Sequence, residues 1–264
     1  MKILVCISKT PDTTAKIAFT DNNTKFDTNG VQWIVNPWDE WFALVRAIEL
    51  KEADPGATLH LLTVGEADAD PIIRKALALG GDEAIRINAA PTESQYVAHQ
   101  IATLVKEGNY DLILTGKETI DHNGSTVGGL IAGETELPFI SLATKLERQG
   151  NTLTITREVE GGQEVCEVEF PVVVSAQKGM AEARIPNMRG IMAARTKPLK
   201  VIEPAETISY TETLQFELPA PKSGVKLIAP DQVEELVRLL HEETNRTRVQ
   251  FSPAPPLSNR IPSS

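Results

Sequence analysis

The segments Leu59-His60-Leu61-Leu62-Thr63-Val64, Asp70 to Leu79 and Ala84-Ile85-Arg86-Ile87 settle the fold class. Two short aliphatic runs flank a stretch whose apolar residues recur at helical spacing. The same alternation continues on both sides. Ile3 to Ser8 is an earlier aliphatic strand and Leu112 to Thr115 a later one, with a helical pattern over Gln95 to Glu107 between them. Strands and helices alternating with connections of this length imply parallel βαβ units. The expected fold is therefore α/β, a doubly wound, mostly parallel sheet of Rossmann-like type. A small exposed hairpin is expected where Lys16 to Phe19 and Lys25 to Asp27 flank Thr20-Asp21-Asn22-Asn23-Thr24. A helix is expected over Asn36 to Leu50, with Asn36 as its cap, Pro37 in the first turn, and Asp39 and Glu40 complementing its positive end. On that helix Trp41, Leu44, Val45 and Ile48 share a face and read as core.

Composition sets bounds. A chain of 264 residues is long enough for one large α/β domain with an extension. Its two cysteines, Cys6 and Cys166, have neither CxxC nor metal-ligand spacing, which fits a reducing compartment. Met1-Lys2 leads directly into a short apolar run, too brief for a signal segment, and no run approaches membrane-spanning length. A cytoplasmic protein without stable membrane insertion is the expectation. The net charge of −10 argues against a nucleic-acid partner. Locally the balance reverses: Lys178, Arg184, Arg189, Arg195, Lys197 and Lys200 face the single acid Glu182.

Ligands of such sheets bind beyond the carboxyl ends of the strands. Four segments should meet there: Cys6 to Ser8, Asn36-Pro37-Trp38-Asp39, Thr63-Val64-Gly65, and the loop Gly116-Lys117-Glu118-Thr119-Ile120-Asp121-His122-Asn123-Gly124-Ser125-Thr126 leading into an apolar helix near Val127. Hydroxyls and backbone N–H groups at a helix start make an anion cradle. The spacing is not that of a P-loop, and the segment reads equally as a capped helix after a polar loop. His122 has no partner at ligand spacing, and His60, His99 and His241 are scattered; a solvated loop histidine is expected, and no nucleophile–base arrangement can be assembled.

A further stretch is more specific. Arg157-Glu158-Val159-Glu160-Gly161-Gly162 forms a charged hairpin; Phe170-Pro171-Val172-Val173-Val174-Ser175-Ala176 reads as a buried strand; and a basic, Met-containing loop follows, ending in Asn187-Met188-Arg189-Gly190-Ile191-Met192. The order and spacing of Ile155, Arg157, Glu160, Gly161, Gly162, Glu164, Pro171, Val173, Val174 and Ser175 resemble the β subunit of the electron transfer flavoproteins, with Cys166 where an aliphatic residue is usual.

That resemblance implies an adenine-nucleotide α-hydrolase-like fold and a non-catalytic electron carrier, not an enzyme. It implies AMP in this subunit, held by Cys6, by Asn36, Pro37, Trp38 and Asp39, by Val64, and by Gly116 through Val127. Ser125 and Thr126 would contact the phosphate and Asn36 the ribose and adenine side. FAD would be shared with an α subunit in a heterodimer, Trp38 lying near it. Bifurcating members, similar around Lys117 to Asp121, hold a second FAD in place of AMP. A recognition loop over 175–197 would receive acyl-CoA and other flavoprotein dehydrogenases, with an exposed Met180 as anchor flanked by Lys178 and Arg184; a quinone oxidoreductase would accept the electrons. The implied organisation is a nucleotide-binding domain over 1–200, a C-terminal arm over 201–250 packing on the partner, and a flexible tail over 251–264. Within the arm, Val225 to Pro230 reads as a strand-like piece and Asp231 to Thr244 as an amphipathic helix. A reading from another class is a stand-alone nucleotide-binding or ATP-hydrolysing α/β module.

Overall fold

A computed structural model describes residues 1–221 and 224–244; the tail expected over 251–264 lies outside them. The elements in chain order are β1 (Lys2–Cys6), β2 (Lys9–Pro11), β3 (Phe19–Thr20), β4 (Lys25–Phe26), β5 (Trp33–Val35), α1 (Asp39–Ala53), β6 (Thr58–Val64), α2 (Asp70–Leu79), β7 (Glu83–Ile87), α3 (Ser94–Gly108), β8 (Leu112–Gly116), α4 (Val127–Thr135), β9 (Phe139–Gln149), β10 (Thr152–Val159), β11 (Gly162–Glu169), β12 (Val172–Ala176), α5 (Met188–Ala194), β13 (Leu199–Ile202) and α6 (Val233–Thr244).

Nine strands form one sheet in the order β11-β10-β9-β12-β8-β1-β6-β7-β13. All pairings from β9 through β13 are parallel, and β9, β10 and β11 pair antiparallel at one edge. The doubly wound, mostly parallel α/β architecture is as expected. Strand β1 shows why its sequence is almost unbroken apolar. Ile3 and Val5 pack into one core layer with Leu44 and Ala47 of α1 and Ile73 and Ala76 of α2, whereas Leu4 and Cys6 pack into the other with Ala98 and Ile101 of α3 and Ile131 of α4. A strand covered on both faces has no polar side to display. The chain steps outward from β1 to β6 and β7, then returns to the opposite side of β1 as β8. The order reverses between β1 and β8, which is where doubly wound sheets open a crevice.

Several expectations are revised, three of them in the secondary structure. Helix α1 starts at Asp39, because Asn36 is buried and spends its side chain elsewhere (below). The strand-like piece at 225–230 is not a strand. Leu199–Ile202, which straddles the expected domain boundary at Lys200, is a single strand pairing parallel with β7.

The chain divides into two units, Met1–Phe216 and Glu217–Ser264. Beyond β13 the first unit runs extended, tied by Gln100, whose amide donates to the Ala205 carbonyl at 2.9 Å while its oxygen accepts from the Ala205 N–H at 2.7 Å. It ends with Phe216 stacked on Phe19, centroids 4.9 Å apart. The described part of the second unit contains α6, which carries exposed Val233, Leu236 and Val237. Among the described residues no helix is long and apolar enough to cross a membrane.

Candidate functional site

The carboxyl ends of β1, β6 and β8 open into a cavity of about 330 Å³, within the roughly 300–1,000 Å³ range of small-molecule sites. Cys6, Ile7 and Ser8 continue from β1, Val64 and Gly65 from β6, and Thr115 and Gly116 from β8; the loop 116–127 and the start of α4 close the far side. The first turn of α4 leaves its N–H groups without a side-chain cap, since the preceding Thr126 makes no capping bond. Below that turn Thr115 Oγ1 is buried without a hydrogen-bond partner. A Cβ on Gly128 would come within 2.9 Å of that oxygen, so only glycine lets the helix start lie this close. Unsatisfied donors and a buried hydroxyl on one concave wall can hold an anion.

Of the residues expected here, Cys6, Val64, Gly116, Lys117, Glu118, Thr119, Asp121, His122, Gly124, Ser125, Thr126 and Val127 line the cavity. Asn36, Pro37, Trp38, Asp39, Ile120 and Asn123 do not. Asn36 stands behind the wall: its Nδ2 donates to the Glu118 carbonyl at 2.9 Å and its Oδ1 accepts the Ile120 N–H at 3.1 Å. It neither caps α1 nor reaches the cavity; it staples the loop to the turn between β5 and α1. Pro37 and Trp38 line a separate apolar groove with Val35, Trp41, Phe42 and Lys178. There Trp38 is 54 % exposed, held at φ 72° in the left-handed region, with Lys178 Nζ 5.5 Å from its ring centroid. Asp39 is half-buried, and that burial raises its pKa. His122 projects into solvent, 4.0 Å from Asp121.

Sequence reading misses a buried carboxyl of the cavity. Glu40 sits on the floor of the cavity, its Oε2 accepting the Ser8 N–H at 2.6 Å and its Oε1 the Ser8 hydroxyl at 2.8 Å. Burial pushes its pKa up to about 8 and, with Glu40 alongside, pushes the Cys6 thiol up as well. A signal for it exists: Glu40 occupies the same helical face as Ala43, Leu44 and Ala47, a carboxyl placed on a stripe that is otherwise core. Glu66, Asp68, Glu93 and Ser94 also line the rim, and Lys9 is ion-paired with Asp68. The cavity wall thus bears Glu40, Glu66, Asp68, Glu93, Glu118 and Asp121 against Lys9 and Lys117.

The 175–197 loop corrects one expectation. Met180 is 5 % exposed and belongs to the core layer beneath α1, so it covers the base of its own loop instead of projecting from it. Arg184 is also engaged, donating to both oxygens of Glu52 at 2.9 and 3.0 Å. The apolar side chains that do project are Ile185, 91 % exposed, and Met188, 73 % exposed, with Ile191 and Met192 beside them on α5. Asn187 caps that helix through the Gly190 N–H at 2.8 Å.

The profile of the electron transfer flavoprotein domain matches residues 23–207, spanning the 116–127 loop, the antiparallel edge and the cavity wall apart from its β1 end. The chain belongs to the electron transfer flavoprotein β-subunit family. Curated electron transfer flavoprotein β subunits agree along most of their length. That of Syntrophomonas wolfei is 36 % identical over 229 residues, covering 86 % of this chain and 90 % of the relative. That of Bacillus subtilis is 35 % identical over 257 residues, covering 92 % and 98 %, and the human protein is 30 % identical over 252 residues, covering 92 % and 97 %. Within the electron transfer flavoprotein domain match, among the described residues, no group of three His, Cys, Asp or Glu side chains is placed to hold a metal ion.

Proposed function

We propose that this chain is the β half of a heterodimeric electron transfer flavoprotein, carrying AMP in its cavity and completing an FAD site held mainly by an α subunit. Electrons would pass from flavoprotein dehydrogenases such as acyl-CoA dehydrogenases to a quinone oxidoreductase. Family membership supports the carrier role. The observation that carries the nucleotide is the uncapped start of α4 above the orphaned Thr115 hydroxyl: Ser125, Thr126 and the first α4 N–H groups would hold a phosphate there.

The acidic wall favours one phosphate over several. Glu66, Asp68, Glu93, Glu118 and Asp121 face two lysines around the cavity, Glu40 keeping its proton at neutral pH, so each added phosphate charge meets repulsion that the helix start offsets once. AMP fits this better than a second FAD with its pyrophosphate, and better than ATP in a stand-alone hydrolase. Nucleotide in this cavity would serve as a strut between loop 116–127 and the ends of β1 and β6.

FAD, when bound, supplies the one- and two-electron redox chemistry. This chain contributes an apolar wall: Trp38 and Trp41, in the groove that Pro37 and Lys178 complete, would exclude water from one side of the interface. The exposed apolar residues of the extended segment, Ile208, Tyr210 and Leu214 among them, would be covered by the α subunit. Dehydrogenases would meet the projecting Ile185, Met188 and Met192, side chains suited to adaptable apolar contact.

Co-expression with a candidate α subunit tests the proposal. A yellow heterodimer with one flavin and one AMP per complex is expected. A colourless monomer would refute the carrier reading, and two flavins without AMP would replace the nucleotide assignment.

A further inference from the structure

Glu118 lies in the middle of the cradle and is held in two ways. Its backbone is fixed: its carbonyl accepts from Asn36, and the neighbouring Lys117 N–H donates to the Ala176 carbonyl at 2.8 Å. Its side chain takes Lys117 Nζ at 2.9 Å from Oε1 and Ser125 Oγ at 2.7 Å from Oε2, with Asn123 as a further donor. Lys117 first and Ser125 second hold this carboxyl below the usual range, so the group is charged at neutral pH. Ser125 itself stands at φ 52°, two residues before α4.

The donors gathered by Glu118 are thus side-chain donors beside the start of α4, and an anion there would need the same ones. The fixed donors, the α4 N–H groups and Thr115 Oγ1, are left for the ligand. We infer that Glu118 is a built-in competitor for the anion of the nucleotide: its carboxylate occupies Ser125 and Lys117, and a bound phosphate must take Ser125 from it and tolerate its charge. The inference rests on the nucleotide reading above and deepens it. It turns the loop's own carboxylate into the setting of nucleotide affinity, so that the site binds AMP less tightly than its donors alone allow.

The test is calorimetric titration of AMP into the nucleotide-stripped heterodimer for four proteins: wild type, Glu118→Gln, Ser125→Ala and the double variant. Gln keeps the size of Glu118 and can still bond Ser125, so flavin content and unfolding temperature are expected to stay at wild-type values. The expected result is AMP affinity raised about fivefold by Glu118→Gln, the scale of one partly exposed charge interaction. Ser125→Ala is expected to lower it. In the Ser125→Ala background the gain from Glu118→Gln is expected to shrink, because the contested hydroxyl is gone. If AMP binds but Glu118→Gln leaves its affinity unchanged or weakens it, Glu118 is no competitor and this inference falls while the nucleotide reading stands. If no variant binds AMP, the nucleotide reading itself fails and takes the inference with it.

Discussion

Glu40 accepts both donors of Ser8, backbone N–H and hydroxyl, so one buried carboxyl joins the end of β1 to the first turn of α1. Its pKa of about 8 lies far above the ordinary 4.5 because burial penalises the charged form more than the two Ser8 bonds favour it. Asp121 and Asp39 push in the same direction, and the Cys6 thiol also faces it. With the folded pKa raised, the folded state keeps a proton that the unfolded chain releases. The stabilisation is complete below about pH 4.5 and is lost progressively as pH rises through about 8. Glu40→Gln is expected to remove this dependence, leaving the variant more stable than wild type at pH 8 and above by up to a few kcal/mol. Denaturant melts at pH 5 and pH 8 check it. A stability difference between the two proteins that is the same at both pH values would rule it out.

Asn36 satisfies a carbonyl and an N–H of the 116–121 loop at once, from a fully buried position. Asn36→Ala leaves both without partners, at about 1–3 kcal/mol each. A loss of at least about 2 kcal/mol is expected in chemical denaturation, with weaker nucleotide binding as the loop loses its staple. A neutral substitution would show that water or another group takes over both bonds.

Gly116 admits no side chain. A Cβ there would reach 2.7 Å from Glu40 Cγ and 3.0 Å from the Glu40 backbone nitrogen. Gly116→Ala is expected to push α1 from the end of β8 and cost about 1–3 kcal/mol, seen as a lowered unfolding temperature together with reduced nucleotide content. Unchanged values for both would mean that the helix start yields freely.

The 175–197 loop separates packing from contact. Met180→Ala removes a buried side chain and is expected to cost about 2–5 kcal/mol. Met188→Ala removes an exposed one and is expected to stay within about 0.5 kcal/mol of wild type, while slowing reduction by a flavoprotein dehydrogenase. Stopped-flow reduction and thermal unfolding of the two variants give the comparison. The reverse pattern, a stable Met180→Ala with slowed reduction, would restore Met180 as the contact.

The parallel core was readable because burial on both faces leaves a local trace. Leu59 to Val64 and Leu112 to Thr115 carry it in their composition, and the crevice follows from strand order. Loop 116–127 was readable as part of the site for the same reason. Asn36 was not: Asn-Pro before an acidic turn is good capping chemistry, and only the distant Glu118 and Ile120 backbone outbids it. Met180 looked like a projection because its neighbours are basic and polar, yet its depth depends on packing beneath α1, which no local pattern encodes. Leu199–Ile202 was hidden by the Thr, Glu and Pro residues that follow, since an edge strand of four residues leaves too short a period to recognise.

The last of these has a mechanical side. Strand β13 ends where the extended segment begins, with no loop between the sheet and the chain that leaves it. A pull on that segment is met by the Tyr210 N–H bond to Glu93 and by the Gln100–Ala205 bonds, and then by the β13–β7 ladder. Any partner that grips the segment is therefore coupled both to the free edge of the sheet and, through Tyr210 and Glu93, to the rim of the cavity.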